Sequence, residues 1–102
     1  MRTQSGTPPY QAPDADLTRW DVSTDLFAVG VMLYELILDG RHPYPDSQPV
    51  VDQEIIEPQG IRSDVGDSLA GFLRRACASD REERFETAVE MQDELRGIRA
   101  DL

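Results

Sequence analysis

Two stretches decide the fold of this chain. They are Gly6–Asp14, which reads GTPPYQAPD, and Thr24–Leu36, which reads TDLFAVGVMLYEL. The prolines of the first stretch lack a backbone N–H and disfavour helix in the residues before them, so extended or turn structure is predicted over residues 1–22. The second stretch is apolar almost all round, which predicts a buried central helix over about 23–39. That helix is shorter than the roughly 20 apolar residues that a bilayer span requires.

Two further helices are predicted downstream, at about 67–78 and about 86–99, because apolar residues recur there at helical spacing. The apolar positions are Leu69, Phe72, Leu73 and Ala76 in the first helix and Val89, Met91, Leu95 and Ile98 in the second. A short helix is predicted at 50–56, between loops at 41–49 and 58–63. No repeat and no alternating strand pattern is visible.

The predicted fold class is therefore all-α, with a helical subdomain over 23–102 and the extended segment 1–22 draped over it. The central helix is expected to begin at Ser23 or Thr24, since either hydroxyl can cap a first turn. It is expected to stop at Asp39-Gly40, with Gly40 supplying the left-handed residue after the last turn.

Composition limits the classes of partner. The chain of 102 residues carries 20 acidic and 10 basic residues, a formal charge of −10, which argues against nucleic acid and anionic membrane as partners. No lysine is present, so chemistry that depends on lysine has no residue here. The single cysteine, Cys77, permits no internal disulfide, and no signal peptide is visible in the polar residues 1–16. A cytoplasmic location is expected.

Four motifs, in the family's order, resemble the C-terminal lobe of protein serine/threonine kinases. They are similar to GTxxYxAPE, DxWSxG, GxxPF and DPxxRP, and lie at Gly6–Asp14, Asp25–Gly30, Gly40–Tyr44 and Asp80–Phe85. The chain departs from the family at Asp14, where glutamate is usual, and at Phe27 and Ala28, where tryptophan and serine are usual. An unrelated helical bundle with chance motifs is the weaker alternative, because all four motifs occur at family-like spacing.

The resemblance implies a substrate groove containing Thr7, Tyr10 and Glu35. In the family, the residue matching Thr7 contacts the catalytic base, and the glutamate matching Glu35 holds a substrate arginine in some kinases. The alternative for Glu35 is a solvated glutamate at the rim of the lobe. Thr3 matches a family phosphorylation site, although a phosphate there would lack its usual basic cluster.

Other residues have structural roles by resemblance. Asp14 and Arg84 match a buried ion pair that ties the activation segment to the last helices. Asp25 matches an aspartate that anchors the central helix to the catalytic loop. His42, without a neighbouring cysteine or second histidine, is expected to be a loop residue rather than a metal ligand.

The ATP-binding and catalytic elements of a kinase are missing from the sequence. There is no GxGxxG loop, no HRD, no DFG and no phosphate-binding lysine, so no catalytic residue, cofactor site or metal site is expected in this chain. ATP and Mg are expected for the parent kinase. The chain is interpreted as a C-terminal-lobe part of a serine/threonine kinase that supports substrate docking and the catalytic scaffold. The alternative is an interaction module derived from a pseudokinase.

The partners implied by this interpretation are protein substrates and the N-terminal part of the parent kinase. Weak self-association is also expected, through the apolar surface that this N-terminal part would otherwise cover.

Overall fold

The computed structural model describes residues 9–13 and 21–100. These residues form four α-helices and two short 3₁₀ turns, with no strand among them, which confirms the predicted all-α class. The helices are α1 (Val22–Ile37), α2 (Pro58–Ile61), α3 (Asp67–Ala76) and α4 (Ala88–Ala100), and the 3₁₀ turns are Pro45–Ser47 and Arg81–Glu83.

The first turn of α1 is held by a capping box at Asp21. The Asp21 carboxylate accepts from the Thr24 amide at 3.3 Å, and the Thr24 hydroxyl accepts from the Asp21 amide at 3.3 Å. The prediction that Ser23 or Thr24 caps the helix is wrong. The N-cap is Asp21, which precedes both residues and also pairs with Arg81. The hydrogen bond from Arg81, helped by that from the Thr24 amide, lowers the pKa of the Asp21 carboxyl.

The end of α1 uses two residues in the left-handed region. Asp39 has φ of 58° and Gly40 has φ of 83°. The Gly40 amide donates to the Glu35 carbonyl at 2.7 Å, which satisfies one of the last carbonyls of the helix. The predicted left-handed Gly40 is therefore observed, and Asp39 also adopts the left-handed conformation one residue earlier.

The predicted short helix at 50–56 is wrong. This segment is irregular because its end is held by tertiary contacts: the Ile56 amide donates to the Pro43 carbonyl at 2.7 Å, and the Ile56 carbonyl accepts from the Tyr34 hydroxyl at 2.6 Å. A single helical turn forms instead at Pro58–Ile61, where a loop was expected, with Pro58 at a first-turn position that tolerates a missing N–H.

The core lies where α1 crosses α3. Its side chains are apolar and nearly inaccessible to water, and its aromatic rings contact one another, with the Phe72 and Phe85 centroids 5.5 Å apart. The central members are Phe27, Val31, Tyr34, Phe72, Leu73 and Phe85. Gly30 of α1 lies directly against Ala76 of α3 and permits the close approach of the two helices.

The last helix is buried along only part of its predicted stripe. Met91 and Ile98 are buried, whereas Val89 and Leu95 are exposed. Because α4 packs mainly against α3, only the positions that face α3 are covered among the residues that the structure describes.

Candidate functional site

The turn formed by residues 9–13 lies against the C-terminal half of α1. Tyr10 of this turn donates its hydroxyl hydrogen to Oε1 of Glu35 at 2.6 Å. Ala12 of the same turn is fully buried and joins the core. The structure therefore brings together two residues, 25 positions apart, that the resemblance assigns to the substrate groove.

The same turn is held from its other side by His42, in the loop that follows α1. Nε2 of His42 lies 2.8 Å from the Pro9 carbonyl oxygen, and Nδ1 lies 3.1 Å from the Tyr44 amide nitrogen. The rings of Tyr10 and His42 meet edge to face at 6.3 Å. Pro9, Tyr10, Glu35 and His42 form one contact group, which we call the groove cluster.

The carboxylate of Glu35 changes the acidity of Tyr10. The hydrogen bond to Glu35, together with some burial and charge repulsion from the carboxylate, raises the pKa of the Tyr10 phenol above its usual value of 10.0. A raised pKa means that the bond contributes to stability below pH 10 and is lost as pH rises through the pKa of the folded state. Tyr10 is therefore a hydrogen-bond donor to Glu35 at neutral pH.

Two buried tyrosines hold the chain that follows α1. The Tyr34 hydroxyl donates to the Ile56 carbonyl at 2.6 Å. The Tyr44 hydroxyl donates to the Cys77 carbonyl at 2.6 Å, which joins this loop to the end of α3. Burial raises the pKa of Tyr44, and burial raises that of Tyr34 to about 12, so both phenols remain protonated donors. The backbone beneath His42 is thus rigidly attached to the core.

Arg84 is buried on the side of the core near the start of α1. Its Nε donates to the Ser23 hydroxyl at 3.1 Å, and its Nη1 donates to the carbonyls of Ala78 at 3.0 Å and Ser79 at 3.2 Å. Its guanidinium lies 5.5 Å from the centre of the Phe27 ring. The predicted burial of Arg84 is thus observed; its predicted ion pair involves Asp14, which lies outside the described residues.

Asp25 lies in the first turn of α1 and is exposed. It is ten residues from Glu35 along the helix, or roughly 15 Å at 1.5 Å per residue, so it does not belong to the groove cluster. The assigned residues Thr3 and Thr7 lie outside the described residues, like Asp14.

We expect Asp25→Asn to cost no more than about 1 kcal/mol of unfolding free energy, because the Asp25 side chain is exposed and the interactions of an exposed carboxylate, with the helix dipole or with another charge, contribute little. Urea melts of the variant would measure it. Asp21→Ala is the matched control and should destabilise more, since it removes the capping box and the Arg81 pair. A loss above about 2 kcal/mol for Asp25→Asn would contradict the local role and indicate a buried structural partner.

His42 lies in a loop, as predicted, but its long-range contact was not predicted from the sequence. The side chain is buried and contacts a turn 33 positions away. No local sequence pattern predicts such a contact.

Within the described residues, no group of three or more histidine, cysteine, aspartate or glutamate side chains could hold a metal ion. In the same part of the chain, no helix has the length and apolar character of a bilayer span.

Comparison with known proteins identifies the class. No family model matches the chain. The serine/threonine-protein kinase PksC of Streptomyces coelicolor is 30% identical over 102 residues, covering 93% of this chain and 18% of PksC. The serine/threonine-protein kinase PknG of Mycolicibacterium smegmatis is 38% identical over 96 residues, covering 91% and 12%. The serine/threonine-protein kinase PknB of Mycobacterium tuberculosis is 30% identical over 97 residues, covering 88% and 15%.

These similarities confirm the predicted resemblance to serine/threonine kinases. The chain is homologous to the C-terminal part of such kinases, and its helical architecture agrees with that assignment. It spans less than a fifth of the length of these relatives, so the 102 residues do not make up a complete kinase.

Proposed function

We propose that this chain is the C-terminal-lobe part of an ATP-dependent serine/threonine protein kinase, in which it presents the protein substrate and supports the catalytic elements. The observation that carries the proposal is the groove cluster, in which Tyr10 donates a hydrogen bond to Glu35 of α1. ATP and Mg would be held by the upstream part of the kinase. The single cysteine is buried and unable to form a disulfide within the chain, which supports a cytoplasmic location.

Glu35 is the residue we assign to the substrate. A carboxylate has two oxygens and can accept two parallel hydrogen bonds from an arginine guanidinium. The Tyr10 hydroxyl orients this carboxylate by donating to Oε1. Substrate proteins with arginine near the phosphorylated residue are therefore the class that this groove fits, and the acidic charge of −10 favours their approach.

The upstream part of the kinase would dock on α1. Contrary to the expectation of burial on every side, Val29, Met32 and Leu36 are 40%, 52% and 78% exposed. They lie at i, i+3 and i+7, which places them along one side of the helix, and we call this side the α1 apolar face. Apolar surface of this kind favours contact with another apolar surface.

The full-length gene product that contains this chain provides the test of function. It should transfer the γ-phosphate of Mg-ATP to serine or threonine in arginine-containing peptides. Glu35→Gln should raise the KM for such peptides and leave the KM for ATP unchanged, because the substitution removes the charge that binds arginine. Absence of any transfer would overturn the kinase proposal and favour a binding module derived from a pseudokinase.

A prediction follows for the chain alone. We expect it to bind a hydrophobic dye and to associate weakly at high concentration through the α1 apolar face, and Leu36→Glu should reduce both effects. Val51→Glu is the control, since Val51 is also exposed but lies in the loop before α2. Sedimentation and dye fluorescence would measure it. A strictly monomeric chain without dye binding, or equal effects of the two variants, would contradict the prediction.

A further inference from the structure

We infer that His42 is a positioning residue for the substrate groove: its Nε2–H holds the Pro9 carbonyl and thereby places Tyr10 on Glu35. The consequence for substrate rests on the proposed function, whereas the positioning itself concerns only the groove cluster. The argument starts from the hydrogen-bond partners of the two ring nitrogens.

The partners of His42 determine where its ring hydrogen lies. The Tyr44 amide can only donate, so Nδ1 of His42, 3.1 Å away, accepts. The Pro9 carbonyl can only accept, so Nε2, 2.8 Å away, carries the hydrogen and donates. The arrangement is satisfied by one tautomer, with hydrogen on Nε2.

The two contacts of the ring differ in what they hold. The Tyr44 contact is local, two residues away, within a loop already attached to α3 by the Tyr44 hydroxyl. The Pro9 contact reaches 33 residues back to the turn that carries Tyr10. The hydrogen bond at Nδ1 therefore orients the imidazole ring relative to a loop that is attached to the core. The hydrogen bond at Nε2 then fixes the Pro9 carbonyl relative to that ring.

The position of the Pro9 carbonyl directly affects the position of Tyr10. Proline has no backbone N–H, so its carbonyl is the only backbone hydrogen-bonding group by which Pro9 can be held. That carbonyl belongs to the planar peptide unit that also contains the Tyr10 nitrogen and Cα. Fixing the carbonyl direction fixes this plane, and with it the origin from which the Tyr10 side chain reaches Glu35 at 2.6 Å.

Two substitutions at His42 separate the two contacts. His42→Gln can place an amide N–H near the position of Nε2 and keep the bond to Pro9, but it loses the Nδ1 acceptor. His42→Asn can place an oxygen near the position of Nδ1 and keep the bond to the Tyr44 amide, but it is too short to reach Pro9. The pair therefore distinguishes positioning of the turn from support of the loop.

The readout is the phenol titration of Tyr10, followed by NMR of the ring carbon that bears the hydroxyl in the chain of 102 residues. The Tyr10 pKa is raised chiefly by its bond to Glu35, so Glu35→Gln gives the titration expected when that bond is absent. We expect His42→Gln to titrate like the wild type and His42→Asn to shift down toward Glu35→Gln. Retention of the wild-type titration by His42→Asn, or equal downward shifts in both His42 variants, would overturn the inference.

The wild-type chain offers a second measurement that no folding defect can obscure. The nitrogen chemical shifts of His42 should show the tautomer with hydrogen on Nε2, and hydrogen on Nδ1 would overturn the inference. Neither measurement uses nucleotide or substrate. A negative result in these measurements would therefore overturn the role of His42 but not the proposed kinase function. A negative kinase assay would likewise not affect the conclusion drawn from the titration.

Discussion

Arg84→Ala is expected to remove a large part of the free energy of unfolding at 25 °C. Arg84 is only 2% exposed and donates to Ser23 of α1 and to the carbonyls of Ala78 and Ser79, so it joins three segments of the core. Alanine would leave those carbonyls without this donor, at about 1–3 kcal/mol each, and would open a cavity under Phe27. A total of about 3–5 kcal/mol is comparable to the ~5–10 kcal/mol that stabilises a domain of this size.

The measurement is a urea or thermal melt, with Arg74→Ala as the matched control. Arg74 is an exposed arginine on α3 that pairs with Glu57 at 2.7 Å, and surface pairs contribute about 0–1 kcal/mol. Arg84→Lys should fall between the two, because lysine keeps the charge but lacks the planar fork that serves several acceptors. If Arg84→Ala were no less stable than Arg74→Ala, the buried network would have no energetic role.

The burial of Arg84 shows the limit of what composition and periodicity can predict from this sequence. Composition and periodicity give no reason to bury an arginine in the highly charged run Asp80–Phe85, and only the resemblance to kinase motifs predicted it. The central helix, by contrast, was predicted from the mostly apolar stretch Thr24–Leu36, although burial on every side was not. The N-cap of this helix could not be predicted from the local sequence, because three nearby residues, Asp21, Ser23 and Thr24, can all cap a helix. Asp21 also pairs with Arg81, which lies 60 residues away.

The misses share one physical cause, which is contact between distant parts of the chain. The apolar residues at 50–56 suggested a helix, but the Tyr34 hydroxyl and the Pro43 carbonyl hold Ile56 in an irregular loop. The contact of His42 with Pro9 was not predicted, because Pro9 is 33 positions away in the sequence. Tyr10 and Glu35 were each assigned to the groove by resemblance, but their mutual hydrogen bond was not foreseen.

Gly30→Val is expected to destabilise the chain at the contact between α1 and α3. A Cβ added at Gly30 would lie 2.7 Å from the Ala76 carbonyl oxygen and 2.8 Å from the Ala76 Cβ. The nearest atom is backbone, so α1 and α3 must separate, and overpacking of this kind costs about 1–3 kcal/mol for small additions. Alanine would recover up to about 1 kcal/mol through its helix propensity, whereas valine adds two methyl groups at the same contact and recovers less.

Gly71→Ala is the matched control, because Gly71 lies within α3 and a Cβ there would meet no atom within 4 Å. It should stabilise by about 0.5–1 kcal/mol in the same urea melts that show a loss for Gly30→Ala and a larger loss for Gly30→Val. The double variant Gly30→Ala with Ala76→Gly should recover only part of the loss, since it removes the Cβ contact but keeps the carbonyl contact. Equal stability of Gly30→Ala and Gly71→Ala would show that the helices can separate without cost.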